Sequence, residues 1–345
     1  MTVLTPTVRT AHRGRDLNLD FVKGFLVVVM ALYHAMNYFA VVPSEVYGYL
    51  RFVNGSFVFI AGYVVALFYT TSMSTPAAIQ LFTRGAKLLA LFTALNLALS
   101  VFSITNYRQV TFGLADYLNQ IERIYGSGDA PQIAFRILVP IAYVLMLSGL
   151  FLLFSRWRKA LMALTFSAAL LHGAVTSILP PNVFFVLTGL TGLSLGWSLK
   201  LRVEKPTLEV FTNRPLALAM AGRIVCLVAV ASVMNTLSGN VLAYSLGLGL
   251  MLALVYGMAK RLNPAAALYR ATVLLGSYSL VAYVGQIGFL FLLHRALRGV
   301  GLAPGVAFAL AFVSTCAGLW FGCLSLEALR HRSRLVEQTY RMVFA

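Results

Sequence analysis

Apolar stretches of about twenty residues follow one another along nearly the whole chain, and this pattern leaves few folds open. We place ten of them at 20–42, 48–70, 82–103, 132–154, 159–179, 183–200, 215–235, 240–259, 268–293 and 303–329. A helix of that length crosses the hydrocarbon core of a bilayer, where backbone groups must pair within their own segment. Only 11% of the residues are charged, against about 25% in a soluble domain. The sequence therefore predicts an all-α, polytopic membrane protein with about ten transmembrane helices.

Basic residues are distributed unevenly between the two predicted sides of the membrane, within a formal net charge of +17. Alternating the spans puts both termini and four connections on one side, and nineteen Lys and Arg residues lie near those ends, against six near the opposite ends. Such residues concentrate on the cytoplasmic side. Both termini are therefore predicted to be cytoplasmic, with an N-terminal segment at 1–19, a transmembrane domain at 20–330 and a C-terminal tail at 331–345. This topology accounts for the charge, and no nucleic-acid partner is expected.

Three ionisable residues, Asp20, Lys23 and His34, fall within the first apolar stretch, where such groups are costly and usually functional. Lys23 and His34 are eleven residues apart, so a helix points them the same way to within roughly 20° and about 16 Å apart along its axis. Asp20 lies near the same direction, at ion-pair spacing from Lys23. A plainer interpretation stays open, in which Asp20 caps the helix, Lys23 reaches the interface and a neighbouring helix satisfies His34.

Polar residues also interrupt the later stretches. Arg223 lies well inside the seventh span, where a guanidinium needs a carboxylate, backbone carbonyls, water or a bound anion. Taken singly, most of the others are more typical of hydrogen bonds between helices than of ligand binding. The candidates for contact with a substrate are Tyr38, Asn54, Ser56, Arg136 and Gln286. The longest connection, 104–131, either caps an external site or is a variable surface loop.

The first stretch also carries a motif of a known family. From Arg15 to Gly24 the chain has a leucine–aspartate pair and then a basic residue followed by glycine, with His34 eleven residues after the basic one. This order resembles the opening of the membrane-bound acyltransferase-3 superfamily. Segments 57–64 and 136–143 are similar to those of its OpgC branch, which succinylates osmoregulated periplasmic glucans, and 275–280 resembles a late Gly-x-x-Ser-Leu motif of the superfamily.

The chain departs from the pattern of that superfamily at three positions. Lys23 replaces a commoner arginine, which keeps the charge but loses the bidentate fork. Ala61 stands where serine is common, and Gln286 stands where many members have a second histidine. The change at Gln286 favours the glucan-modifying branch or a divergent relative over the general O-acetylases, and it leaves the acyl group open between succinyl and acetyl.

The resemblance implies a multi-pass O-acyltransferase of a bacterial inner membrane, embedded in the lipid bilayer. It would move an acyl group from cytoplasmic acyl-CoA, a donor substrate and not a resident cofactor, to a hydroxyl of a periplasmic glucan or surface polysaccharide. His34 would act as general base, with Lys23 and Asp20 bracing the helix or lining a donor tunnel. A phosphate-bearing donor needs a basic mouth on the cytoplasmic side, for which the candidates are Arg84, Lys87, Arg156, Arg158 and Arg223.

Two other classes of protein stay open on the residues alone. A proton-coupled secondary transporter of a small anion also uses buried polar residues and a titratable histidine. Against it, the sequence has no internal repeat between its halves. A non-catalytic membrane assembly protein would explain the apolar chain but not the alignment of Lys23 with His34. No metal-ligand pattern is apparent, and the sequence leaves the existence of a homo-oligomer open.

Overall fold

Helices form all the regular structure in the part of the chain that the structure, a computed structural model, describes. The described residues are 16–39, 44–50, 52–69, 75–101, 113–130, 133–154, 179–202, 216–236, 240–297 and 300–344, with a few isolated positions between 160 and 171. The helices are α1 (Leu17–Phe39), α2 (Ser44–Leu50), α3 (Phe52–Tyr69), α4 (Thr75–Val101), α5 (Leu114–Asn119), α6 (Leu138–Leu153), α7 (Pro181–Arg202), α8 (Leu216–Thr236), α9 (Val241–Ala259), α10 (Ala267–Ser277), α11 (Ser279–Leu297), α12 (Pro304–Arg332) and α13 (Arg334–Phe344), with a π-helical segment at Glu122–Ser127.

Seven of these helices are long and apolar enough to cross a membrane, namely α1, α3, α4, α7, α9, α11 and α12. Helices α6 and α8 contain shorter apolar stretches. The prediction of an all-α, multi-pass membrane protein is confirmed. Helix α4 begins at Thr75, earlier than predicted, because Pro76 suits the first turn of a helix. The predicted span at 159–179 lies outside the described residues apart from isolated positions, and the side of the membrane on which the termini lie stays a prediction.

Helix α1 packs against α10 with almost nothing between the two backbones. A Cβ atom added at Gly24 would collide with the carbonyl of Thr272, and one added at Gly276 would collide with the backbone of α1. Gly62 of α3 and Gly189 of α7 make a similar contact. Small residues allow membrane helices to approach this closely. The contact between Gly24 and α10 fixes the position of α1, the helix that carries the predicted site.

The first turn of α1 is capped by a side chain. One carboxylate oxygen of Asp16 accepts hydrogen bonds from the backbone N–H groups of Asn18 (2.9 Å) and Leu19 (3.2 Å). Its other oxygen accepts a hydrogen bond from the Tyr256 hydroxyl of α9 at 2.7 Å. An aspartate at this position satisfies N–H groups that the helix leaves unpaired. The cap that the plainer interpretation gave to Asp20 therefore belongs to Asp16.

The predicted span at 268–293 is wrong as a single helix, because the chain breaks at Tyr278 between α10 and α11. The Tyr278 hydroxyl accepts a hydrogen bond from Arg330 near the end of α12, at 3.0 Å. The break brings Ser277 to the surface of a cavity described below. A periodic apolar pattern carries no signal for such a break, since both helices keep the same apolar character.

The predicted C-terminal tail folds as α13 and docks onto the end of α12. Arg330 donates a hydrogen bond to Glu337 at 2.5 Å, and its guanidinium carbon lies 3.9 Å from the centroid of the Tyr340 ring. Arg341 donates to the other carboxylate oxygen of Glu337 at 2.6 Å. These two hydrogen bonds, the Arg330 one first, lower the pKa of Glu337 to about 2. Charge pairs and ring stacking thus hold α13 in place.

Part of the connection predicted at 104–131 is folded onto the bundle, while residues 102–112 lie outside the described ranges. The hydroxyls of Tyr117 and Tyr125 lie 2.7 Å apart, and that of Tyr125 lies 2.5 Å from Thr93 Oγ1 of α4. Burial raises the pKa of Tyr117 above its ordinary value. The Asn182 side chain of α7 donates to the carbonyls of Ile124 (3.0 Å) and Tyr125 (3.1 Å). A role as a cap over a substrate stays a prediction.

Candidate active site

A cavity of about 460 Å³ lies among α1, α3, α4, α6, α13 and the break between α10 and α11. Its charged wall consists of Asp16, Asp20 and Lys23 of α1 with Arg84 and Lys87 of α4. Small-molecule sites typically have volumes of about 300–1,000 Å³. The structure therefore brings four of the predicted site residues together around a space that can hold a ligand. The remaining wall is formed by Leu19, Val64, Phe68, Leu88, Leu145, Ser277, Leu280 and Val343.

Asp20 and Lys23 form an ion pair at the wall of this cavity. The Lys23 Nζ atom lies 2.6 Å from Oδ1 of Asp20, whose side chain is only 2% exposed, while Lys23 is 24% exposed. A buried carboxylate without a cation is strongly unfavourable. Lys23 thus compensates Asp20 and also presents positive charge to the cavity.

Arg84 and Lys87 add two further cations from the neighbouring helix α4. Arg84 donates a hydrogen bond to the Tyr69 hydroxyl, and its guanidinium carbon lies 5.7 Å from the centroid of that ring. Lys87 donates to the backbone carbonyl of Arg341 in α13, at 3.3 Å. The acceptors of these two hydrogen bonds, a tyrosine hydroxyl and a backbone carbonyl, carry no formal charge. A cavity lined by three cations and two carboxylates suits an anionic ligand.

Beyond the cavity, α1 and α11 run side by side in the same direction. Both helices contribute residues near their first turns to the cavity wall. Farther along, Val27 packs in one cluster with Ala282, and Ala35 packs in another with Leu290. Val27 and Ala35 are eight residues apart on α1, and Ala282 and Leu290 are eight residues apart on α11. The register between the two helices is therefore constant over two turns.

Gln286 lies midway between Ala282 and Leu290, on the face of α11 that meets α1, and is therefore level with Ala31. Its side chain is 0% exposed, and neither its amide nitrogen nor its amide oxygen has a hydrogen-bond partner among the described residues. The buried hydroxyl of Ser56 on α3 is unpartnered in the same way. Leaving a buried polar group unpaired costs about 1–3 kcal/mol. Such groups in a native protein call for an explanation.

His34 lies on the same face of α1 as Val27, seven residues later and rotated by roughly 20°. Helix α1 is unbroken from Leu17 to Phe39. By helical rise, His34 is therefore about 16 Å beyond Lys23 and about 4.5 Å beyond the level of Gln286. The imidazole is half-buried and lies edge-on to the Tyr33 ring, with centroids 5.4 Å apart. It makes no hydrogen bond to a described residue, and it does not line the 460 Å³ cavity.

Three of the predicted substrate contacts, Tyr38, Asn54 and Arg136, lie toward the end of the bundle opposite the cavity. Tyr38 lies in the last turns of α1, with its ring 5.4 Å from that of His294. Asn54 is half-buried in the first turn of α3, a helix whose other end reaches the cavity. Arg136 is exposed just before α6. The structure does not gather these residues around one described cavity.

Arg223, predicted at the donor mouth, is not among the residues that line the cavity. It donates a hydrogen bond to the backbone carbonyl of Gly257 on α9 at 2.5 Å. A backbone carbonyl is one of the partners that the sequence left open for this guanidinium. Arg156 and Arg158 lie outside the described residues.

Several residues at the cavity were not among the predicted site residues. Asp16 could have been identified, because an aspartate directly before an apolar stretch is a common helix cap. Ser277 and Val343 of the cavity wall gave no such signal, and neither did Tyr69, which accepts the hydrogen bond from Arg84, since their positions depend on how α10, α13 and α3 pack.

A family model described as "Heparan-alpha-glucosaminide N-acetyltransferase, catalytic" matches residues 15–194, slightly more than half of the chain. The matched segment runs from the cap of α1 into α7. It includes the Asp20–Lys23 pair, His34, Arg84 and Lys87, whereas α8 to α13 lie beyond it. No curated protein and no solved structure matches the chain.

Proposed function

Because this chain belongs to the heparan-alpha-glucosaminide N-acetyltransferase catalytic family, a family of membrane acyltransferases, we propose that it transfers an acyl group from cytoplasmic acyl-CoA to a glycan across the membrane. The observation that carries the proposal is the cationic cavity at the start of the helix that bears His34 farther along. A thioester donor is made on one side of a membrane and a surface glycan lies on the other. The protein must therefore provide a path through the membrane along which the donor thioester can reach the glycan.

The donor enters at the cavity, where Lys23, Arg84 and Lys87 pair with its phosphates through charge-assisted hydrogen bonds. Its pantetheine arm then extends along α1 toward His34. The arm contains roughly four residues' worth of chain atoms and spans about 14 Å when extended. This length is close to the helical rise of about 16 Å between Lys23 and His34. The phosphates can therefore stay in the cavity while the thioester reaches the imidazole.

His34 acts as the general base of the transfer. It accepts the proton of the acceptor group as that group attacks the thioester carbonyl carbon. A new bond from the acyl carbon forms, its bond to sulfur breaks, and the proton passes to the sulfur, which leaves as the free thiol of CoA. A neutral imidazole is suited to this exchange near neutral pH.

The acceptor approaches from the end of the bundle opposite the cavity, where Tyr38, Asn54, Ser56 and Arg136 lie. The resemblance to the OpgC branch favours a hydroxyl of a periplasmic glucan, with succinyl or acetyl as the group transferred in a bacterial inner membrane. The name of the matching family favours a second candidate, N-acetylation of the amine of a glucosaminide. Both candidates use the same donor path and the same base.

The test uses purified full-length protein with acetyl-CoA or succinyl-CoA, each offered with a glucan or with a glucosamine-containing oligosaccharide. Mass spectrometry of the product identifies the acyl group. Treatment with mild base then distinguishes the acceptor, since it removes an O-acyl ester and leaves an N-acyl amide intact. If the wild-type protein neither transfers an acyl group nor cleaves either thioester, the proposal fails.

A proton-coupled transporter of a small anion is the alternative that a cationic cavity also permits. The two functions differ in whether a covalent bond is broken. Uptake of an anion into sealed vesicles, driven by a proton gradient and without thioester cleavage, would favour transport. Acyl transfer in detergent, where no gradient exists, would favour the enzyme.

A further inference from the structure

The amide of Gln286 is a fully buried polar group for which the acyl transfer has so far given no role. Neither its nitrogen nor its oxygen is partnered among the described residues. It shares one stripe of α11 with Ala282 and Leu290. These two lie in hydrophobic clusters with Val27 and Ala35 of α1, so we infer that the Gln286 side chain is directed toward that helix. An unpaired amide at this interface is suited to a ligand that passes between α1 and α11.

The position of Gln286 along its helix indicates that its side chain contacts the donor and not the acceptor. Since it is level with Ala31, it lies about 12 Å of helix beyond Lys23 and about 4.5 Å short of His34. A donor coming from the cavity passes Gln286 before it reaches His34. An acceptor coming from the opposite end meets His34 first. Gln286 therefore lies on the donor side of the reaction.

The chemistry of the donor arm fits this depth. In an acyl-CoA, the nitrogen of the amide nearest the thioester lies roughly 5 Å from the acyl carbon, judged from ordinary single-bond lengths. When the acyl carbon reaches His34, that amide is level with Gln286. A glutamine side chain offers one N–H donor and one carbonyl acceptor, which are complementary to the carbonyl and N–H of the arm.

We propose that Gln286 binds the pantetheine amide nearest the thioester and so sets the depth at which the acyl carbon stops. This inference rests on the proposed acyl transfer and assigns Gln286 to the donor, whereas the sequence left it among general substrate contacts. Each hydrogen bond forms at a buried position, where unpaired partners are costly. The glutamine thereby distinguishes a pantetheine thioester from an arm of the same length without the amide.

The experiment compares acetyl-CoA with an analogue that has an ester oxygen in place of this amide nitrogen. The ester keeps the carbonyl and the length of the arm but lacks the N–H. The wild-type protein should lose about tenfold in kcat/KM on going from amide to ester. Gln286→Leu should lose about tenfold with acetyl-CoA and little more with the ester, while the KM for the acceptor stays unchanged.

Two further variants make the result specific. Gln286→Met, which keeps the length of the side chain, should behave like Gln286→Leu and replaces it if the leucine variant does not fold. Ser245→Ala is the matched control, since Ser245 is also buried with an unpartnered hydroxyl but lies on α9. It should retain the wild-type preference for the amide donor.

The inference is overturned if the wild-type protein does not distinguish the two donors, or if the Gln286 variants keep the wild-type preference. It is also overturned if these variants raise the KM for the acceptor instead. These outcomes leave the acyl transfer itself standing, because the wild-type protein is active in each of them. A wild-type protein that is inert toward every thioester refutes the proposed function, and this inference with it.

Discussion

Replacing His34 by alanine removes the proposed base and leaves the unbroken helix α1 in place. Positioned general-base catalysis typically contributes about 10²–10⁴-fold, so we expect kcat to fall by at least about 100-fold with little change in the KM for acyl-CoA. The control is His294→Ala, since His294 packs against Tyr38 and Phe39 at the far end of the bundle. Full activity of the His34 variant would contradict the role of this imidazole.

Lys23 is expected to serve both stability and donor binding. Lys23→Met removes the 2.6 Å ion pair between Lys23 and Asp20, whose side chain is 2% exposed. Because Lys23 is partly exposed, we expect a loss of about 2 kcal/mol, below the full cost of breaking a buried pair. The KM for acyl-CoA should rise as well, since a cation is lost from the cavity.

A second substitution separates these two effects of Lys23. Adding Asp20→Asn to Lys23→Met removes the buried carboxylate that has lost its ion pair with Lys23 and should restore most of the thermal stability, while the KM for acyl-CoA stays high. Lys23→Arg, which keeps the cation, should bind the donor nearly as well as the wild type. If the KM is unchanged in the single methionine variant, Lys23 does not contact the donor.

For single residues, the spacing along the chain predicts which side chains of one helix point in the same direction. The eleven-residue step from Lys23 to His34 predicts a shared direction, and the unbroken helix supplies it. The ion pair with Asp20 follows from a three-residue step in the same way. The unpartnered amide of Gln286 could not be predicted from the sequence. It depends on the absence of a hydrogen-bond partner for this amide among the described residues of the neighbouring helices.

The contact between α1 and α10 can be tested with two glycines. In Gly276→Ala, the added methyl collides with the backbone carbonyl of Asp20, so we expect a loss of about 1–3 kcal/mol in stability. Gly288→Ala on α11 is the control, because nothing lies within 4 Å of the added methyl. It should be neutral or stabilising by up to about 1 kcal/mol. Thermal unfolding in detergent measures both, and equal midpoints would contradict the close packing of the two backbones.

The docking of α13 should persist well into mildly acidic conditions. The hydrogen bonds from Arg330 and Arg341 lower the pKa of Glu337 to about 2. A carboxyl group with a lowered pKa stabilises the folded state above its ordinary pKa, and this effect is lost as the pH falls toward the lowered value. We therefore expect no release of α13 between neutral pH and about pH 5.

Hydrogen–deuterium exchange of residues 334–344 measures this docking. Glu337→Gln removes the charge and should speed exchange there at neutral pH. Gln338→Ala, at the exposed neighbouring position, should leave the exchange rate unchanged. Slow exchange in the Glu337 variant would show that α13 is held by its apolar and ring contacts alone.

At the scale of elements, length and hydropathy predicted most helices, because a membrane span must be long and apolar wherever it packs. The same criterion failed at Tyr278, where α10 and α11 are both apolar and only a local break separates them. Length and hydropathy also did not predict helix α13 within the C-terminal tail. There the structure depends on Arg330, a residue of the preceding span, reaching Glu337 and Tyr340.

In the molecule as a whole, the cavity and His34 are joined by two parallel helices of constant register. Helix α1 belongs to the half that matches the acyltransferase family, while α11 lies in the half beyond the match. The donor path proposed here therefore uses both halves of the chain. The composition predicts that the chain crosses a membrane. It does not predict that α1 packs against α11, because this contact depends on residues from both halves of the chain.

Such a path predicts that donor and acceptor act from opposite sides of a sealed membrane. The cavity lies at the N-terminal end of α1, beside α13, so the donor should be accepted only on the side that carries the two termini. Proteoliposomes with acyl-CoA outside and acceptor sealed inside should form product only from molecules inserted with their termini outward. Protease applied outside, followed by detection of a terminal tag, gives that fraction.

With donor and acceptor both outside, sealed vesicles should form almost no product, and detergent should restore it. This comparison also controls for leakage, because leaky vesicles are active in every arrangement. Equal product with both substrates on one side of a sealed membrane would contradict transfer along α1. The cavity would then have to bind a ligand other than the donor of a transmembrane reaction.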